Sequence, residues 1–172
     1  MTSKLKVNLI NDSGDNNLIT SDGSGNLTTQ KILEPSFFVK LSSNQSIPNN
    51  TNTKVTFDSE VFDSDGAFAS NKFTVPSGKA GKYFFSFGLL CNGLDDADSI
   101  QVALFKNGSN ANFGFFGMFA GTGNSEQKFT SSTVLDLSAS DYIELYVQHF
   151  EGSAMDINAN NTFLAGYRII GA

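Results

Sequence analysis

The chain has 172 residues, 40% of them hydrophobic and only 16% charged, with 17 Phe, 16 Gly and no Trp. This length holds one domain plus an appendage, and the excess of Phe and Gly over charge suits β-strands joined by Gly/Asn/Asp turns. A net charge of −6 with no Lys/Arg cluster argues against a nucleic-acid partner, which needs concentrated positive charge against phosphate.

No apolar run reaches the roughly 20 residues of a membrane-spanning helix, so membrane insertion is not expected. The opening "MTSKLKVNLI" lacks the apolar stretch of a secretory signal. The chain is therefore expected to be made in a cytosol and to leave it only by lysis or on a particle.

Residues 1–35 contain no aromatic residue. Short β-like patches (Lys6 to Ile10, Leu18 to Thr20, Leu27 to Thr29) alternate there with the turn clusters "NDSGDNN" and "SDGSGN". The segment has too little apolar area to fold by itself. It reads either as a flexible leader or as an extended arm that orders against a partner, and the pairing-competent patches favour the arm.

Residues 36–172 are a succession of strand signals. "FFVKLS" and "TKVTFD" come first. "VFDSDGAF" then poses a choice between a calcium loop and a tight turn. A calcium loop of the EF-hand type needs further oxygen ligands, a later Glu and flanking helices. None follows Asp63 and Asp65, so a turn capped by their short side chains is expected. "GKYFFSFGLL" sets Tyr83, Phe85, Phe87 and Leu89 on one face, and "SIQVALFKNG" sets Ile100, Val102 and Leu104 on one face before an Asn107-Gly108 hairpin turn. In "DYIELYVQHF", Ile143, Leu145 and Val147 alternate with Tyr142, Glu144, Tyr146 and Gln148. "NTFLAGYRII" closes the chain. No segment has a helical period, and the fold expected is an all-β sandwich.

One pattern is excessive for a sandwich wet on both outer faces. In "NFGFFGMFAG", Phe113, Phe115 and Phe119 share one face while Phe116 and Met118 share the other, and Phe84 lies opposite the Tyr83 face. Such patches read either as a core enlarged by covering loops or, as large apolar patches on a soluble protein more often do, as an obligate oligomer interface. The candidate subunit-packing residues are Phe84, Phe113, Phe115, Phe116, Met118, Tyr146, Tyr167 and Ile169.

The order "VFDSDGAF…NKFTVP…GKYFFSFGL", "VALFKNGS", "STVLDLSASDYIELYV", "TFLAGYRII" over residues 36–172 resembles the globular head of the complement-one-q and tumour-necrosis-factor-like superfamily. The matching positions are Phe62, Gly66, Phe68, Pro76, Gly81, Tyr83, Phe85, Lys106, Asn107, Gly108, Leu135, Leu137, Asp141, Ile143, Phe163 and Gly166. Ser140 stands where the family has Gly, "TFLAGY" carries an extra residue, and no collagen-like stalk precedes the head. The resemblance implies a ten-stranded jelly roll assembled as a homotrimer. It also raises the prospect of calcium near the trimer axis, for which Asp95, Asp96 and Asp98 of "GLDDADS" are the candidate ligands beside the simpler reading of a solvated turn.

The first 35 residues are similar to leaders of small virion proteins of marine tailed phages, with Lys6, Val7, Leu9, Ile10, Leu18, Ile19 and Leu27 as the candidate attachment residues. Together the two resemblances imply a non-enzymatic virion structural protein on the virion surface, made in the bacterial host cytoplasm. It would be a capsid decoration (cement) or short appendage protein whose arm binds a major capsid or appendage protein. The alternative is a tail-fibre head whose loops "GLDDADS" and "AGTGNSEQ" bind a host surface glycan. A bacterial signalling or spore-surface head is a third reading.

Catalytic chemistry finds no support. His149 is the single His and Cys91 the single Cys. No nucleophile elbow, phosphate loop or paired-His motif occurs. Cys91 reads as a small core residue and His149 as a hydrogen-bonded structural one.

Overall fold

A computed structural model describes residues 9–15, 17–29, 35–94, 98–118 and 126–169, with side chains described throughout these except at 17, 27–29 and 112–118. The chain divides into two compact units, Met1–Ile32 and Leu33–Ala172.

The first unit contains an antiparallel meander of β1 (Leu9–Asn11), β2 (Asn17–Ser21) and β3 (Leu27–Thr29). Leu9 lies opposite Thr20, and Ile19 opposite Thr29. Carboxylates build both turns. Asp12 Oδ1 accepts from Gly14 N at 2.8 Å. Asp22 Oδ1 accepts from Ser24 N at 2.8 Å and from Asn26 N at 3.1 Å. A short acidic side chain that bonds its own backbone two residues on fixes a turn without a core.

The second unit is a two-sheet sandwich. Its strands in chain order are β4 (Ser36–Lys40), β5 (Gln45–Ile47), β6 (Thr53–Lys54), β7 (Ser59–Asp63), β8 (Phe68–Ala69), β9 (Lys72–Thr74), β10 (Gly81–Cys91), β11 (Ser99–Lys106), β12 (Ser109–Met118), β13 (Gln127–Leu137), β14 (Tyr142–His149), β15 (Met155–Ile157) and β16 (Phe163–Arg168). One sheet runs β5-β15-β10-β16-β4-β7, with β13 on the other edge of β10. The second runs β12-β11-β14-β9-β8, with β6 also pairing β14. The expected ten strands therefore appear as thirteen pieces among the described residues. Several are only two or three residues long, because turns and irregular backbone interrupt the pairing. "TKVTFD", for instance, contributes only Thr53–Lys54 to a ladder.

The period-two pattern is the sandwich interior. Tyr83, Phe85, Phe87 and Leu89 of β10 are buried, as are Ile100, Val102 and Leu104 of β11 and Ile143, Leu145 and Val147 of β14. Each such large side chain contributes on the order of 2 kcal/mol by leaving water. Phe37 of β4 stacks on Phe73 of β9 at 4.8 Å between ring centroids, joining the two sheets. Gly166 of β16 makes room for this cluster: a Cβ there would lie 2.8 Å from the Phe85 ring and 2.9 Å from the Phe37 ring.

The turns take the forms their residues favour. Asn107 and Gly108 both have positive φ, 54° and 78°, and so do Ser70 and Asn71, 54° and 59°, which is the signature of the two-residue hairpin turn. The "FDSDGAF" stretch is a turn: Asp63 Oδ2 accepts from Phe68 N at 2.7 Å, Ser64 Oγ donates to Asp65 Oδ2 at 2.7 Å, and Gly66 takes a φ of 60°. Both carboxylates are engaged with their own loop.

Candidate functional site

β10 carries two different faces. Its inward residues are the core. Its outward residue Phe84 has Val134 of β13 opposite on one side and Tyr167 of β16 on the other. The Phe84 and Tyr167 rings lie 5.3 Å apart. Further along the same face Phe38 of β4 meets Phe163 at 5.7 Å and Phe62 of β7 at 6.3 Å. Val134 is 47% exposed, Phe62 49% and Tyr167 39%. The register thus lays an apolar row across the outer face of the seven-stranded sheet. Ile169 follows β16 and is half-buried, its N–H donating to Lys82 O at 2.8 Å.

The other sequence-derived packing candidates sit on the six-stranded sheet. Tyr146 of β14 faces outward and lies 4.1 Å from the Phe105 ring. Burial, with the nearby Glu144 carboxylate, raises its phenol above the usual range. In β12, Phe113 and Phe115 are the register partners of Leu104 and Val102, two core positions. Phe116 and Met118 are the register partners of Gln101 and Ser99, on the opposite face. The eight candidates are thus divided between two outer faces and the inward register of β12. Phe38, Phe62 and Val134, which complete the row with Phe84 and Tyr167, escaped sequence reading. Each stands alone in its strand's pattern, and only the β4–β7 and β10–β13 registers join them.

Glu144 also departs from simple alternation. It is buried on the outward side of β14, where Lys54 of β6 pairs with it at 3.1 Å. Lys54 thereby supplies the partner that a buried carboxylate requires.

The family-like Lys106, Asn107 and Asp141 form one network at the end of the sandwich. Lys106 Nζ lies 2.8 Å from Asp141 Oδ2. Asn107 Nδ2 donates to Asp141 Oδ1 at 2.7 Å, Ser138 N donates to Asp141 Oδ2 at 2.8 Å, and Tyr142 N donates to Asn107 Oδ1 at 2.9 Å. Burial alone would raise the Asp141 carboxyl, but the bonds from Lys106, Asn107 and Ser138 outweigh it and hold the group at about 2. Ser140, in place of the family glycine, keeps the left-handed backbone with a φ of 72°.

Cys91 and His149 occupy structural positions. Cys91 is fully buried, and burial pushes its thiol up to about 12, where it stays protonated. His149 is fully buried as well, with Nε2 2.8 Å from Ile47 O and Nδ1 accepting from Glu151 N at 3.4 Å. Of the three acidic residues considered for calcium, Asp98 is half-buried, while Asp95 and Asp96 lie outside the described residues. Among the described residues no group of three His, Cys, Asp or Glu is placed to hold a metal ion. Of the arm residues, Leu9, Ile10 and Leu18 are 44%, 43% and 40% exposed, and Ile19 is half-buried. Leu27 lies in β3, and Lys6 and Val7 are outside the described residues. Most of "AGTGNSEQ" is outside them too.

The sequence model of the C1q domain matches residues 36–169. No curated protein matches the chain. Among solved structures, the globular domain of zebrafish complement 1qA protein is similar at a TM-score of 0.55 and 18% identity, over 81% of this chain and 100% of that one. Murine APRIL at pH 8.0 is similar at a TM-score of 0.57 and 14% identity, over 78% of this chain and 98% of that one. These likenesses concern the fold.

Proposed function

We propose a function from the premise that this chain belongs to the C1q domain family: it is a non-enzymatic structural head that assembles as a homotrimer and is mounted on a larger particle by its N-terminal unit. The observation that carries the reading is the outward apolar row of the seven-stranded sheet, Phe84, Tyr167, Val134, Phe38 and Phe62, which leaves bulky hydrophobic groups half in water in a single subunit. A neighbouring copy that covers the row removes that exposure at no cost in core packing. Phe116 and Met118, in outward register on the other sheet, are the complementary candidates on that neighbour. The inert placements of Cys91 and His149 support a head that acts without catalysis.

The particle in this reading is a tailed-phage virion. The head projects from its surface as a capsid decoration or short appendage, after synthesis in the bacterial host cytoplasm. Residues 1–35 form the attachment arm, and the head begins at residue 36. The exposed Leu9, Ile10 and Leu18 of the small meander support the arm's role, because three strands offer little area to bury against one another. These side chains contact a major capsid or appendage protein. Deleting residues 1–35 is expected to abolish co-sedimentation with phage particles while leaving the head's oligomeric mass per subunit unchanged. A truncated chain that still co-sediments overturns the arm's role.

A further inference from the structure

At the end of the sandwich away from Asp141, β10 finishes at Cys91 opposite Ile157 of β15, and β15 pairs in turn with β5. A half-open cavity of about 470 Å³ lies here, lined by Asn44, Asn92, Gly93, Glu151, Met155 and Asp156, together with Ala154. Its volume falls within the range of small-molecule sites, roughly 300–1,000 Å³.

The polar groups around it are only partly used. Met155 and Ile157 face the core, so Asp156 between them faces out. Among the described residues its carboxylate accepts no hydrogen bond, and the Asn92 amide makes none. Asn44 Oδ1 accepts from Ala159 N at 3.1 Å, which leaves its NH2 group free. The Glu151 carboxylate accepts from the N–H and hydroxyl of Ser153 at 3.2 and 3.1 Å and retains acceptor capacity. The contrast with Asp141, whose oxygens are all engaged, is a contrast between a closed structural network and an open one.

The lining also selects a ligand class. Among the described residues it contains no Lys, Arg or His, so an anion meets two carboxylates and no cation there. Among the described residues no third carboxylate joins these two, and two alone are a poor cage for a metal ion. A neutral polyhydroxylated ring fits. Its hydroxyls donate to Asp156 and Glu151 and accept from the amide NH2 groups of Asn44 and Asn92, while its C–H face lies against the exposed Ala154. We infer that this cavity binds a neutral sugar residue and discriminates against anionic sugars such as sialic acid. The inference goes beyond assembly.

The test is a backbone-amide NMR titration of the full chain with methyl α-mannoside, methyl β-galactoside, methyl N-acetyl-β-glucosaminide and N-acetylneuraminic acid. At least one neutral glycoside is expected to shift the amides of Asn92, Gly93 and Asp156, and N-acetylneuraminic acid is expected to leave them in place. Asn92→Ala and Asp156→Ala, both at exposed positions that spare the core, are expected to weaken that glycoside by about tenfold, the loss of a charge-assisted or paired hydrogen bond. Absence of shifts with all three neutral glycosides overturns the inference, and so does binding that survives both substitutions. Either result leaves the subunit mass in solution, and hence the assembly reading, untouched.

Discussion

The two faces of β10 differ by one residue in sequence and by everything in environment. Tyr83, Phe85 and Phe87 are sealed in the sandwich, whereas Phe84 joins Tyr167 and Val134 on a surface that one subunit leaves open. In the proposed assembly, side chains of the same kind serve two equilibria: the inward set decides whether the chain folds, and the outward set decides whether folded chains associate. The difference teaches that a strand apolar on both faces need not mean a thicker core. In the proposed assembly it records a second burial event, between molecules.

Substitutions on either side can break that division. Phe85→Ala opens a cavity among Phe37, Phe73 and Gly166 and is expected to cost about 3–5 kcal/mol, read from the midpoint and slope of urea denaturation. Asp141→Asn removes the ion pair with Lys106 and is expected to cost about 1–2 kcal/mol, the shift being discounted for partial solvent screening. The sign of its pH dependence follows from the depressed carboxyl. Asp141 stabilises the fold above its unfolded value near 4, and that contribution is lost as pH falls through about 2. Between pH 5 and pH 2 the unmodified chain is therefore expected to lose more stability than Asp141→Asn. Tyr167→Asp lies on the outward face and is expected to change subunit stability by less than about 1 kcal/mol, while sedimentation velocity shows dissociated subunits. If Tyr167→Asp unfolds the subunit instead, or leaves the assembly intact, the two faces are not separate in the way described.

Much of the inward architecture was legible in sequence. The Tyr83-to-Leu89, Ile100-to-Leu104 and Ile143-to-Val147 alternations are local, and a pleated strand turns them into a face without further information. The Asn107-Gly108 turn is equally local. What sequence did not reveal was set by register. Asn107 and Asp141 are 34 residues apart, and their bond exists because β11 and β14 pair with Lys106 opposite Ile143. Phe38, Phe62 and Val134 became one row for the same reason. Glu144 looked like a wet position because its burial depends on Lys54, 90 residues away. The cavity around Asp156 escaped notice because three separate segments of the chain build it, none with a pattern of its own.

The most direct test of the central claim is the absolute mass of the full chain by light scattering across a range of concentrations. The account predicts a stable species of three times the 18.5 kDa chain mass, reduced towards the single-chain mass by Tyr167→Asp. A clean monomer at every concentration would contradict it, because the apolar row across β13, β10, β16, β4 and β7 would then face water in the functional protein.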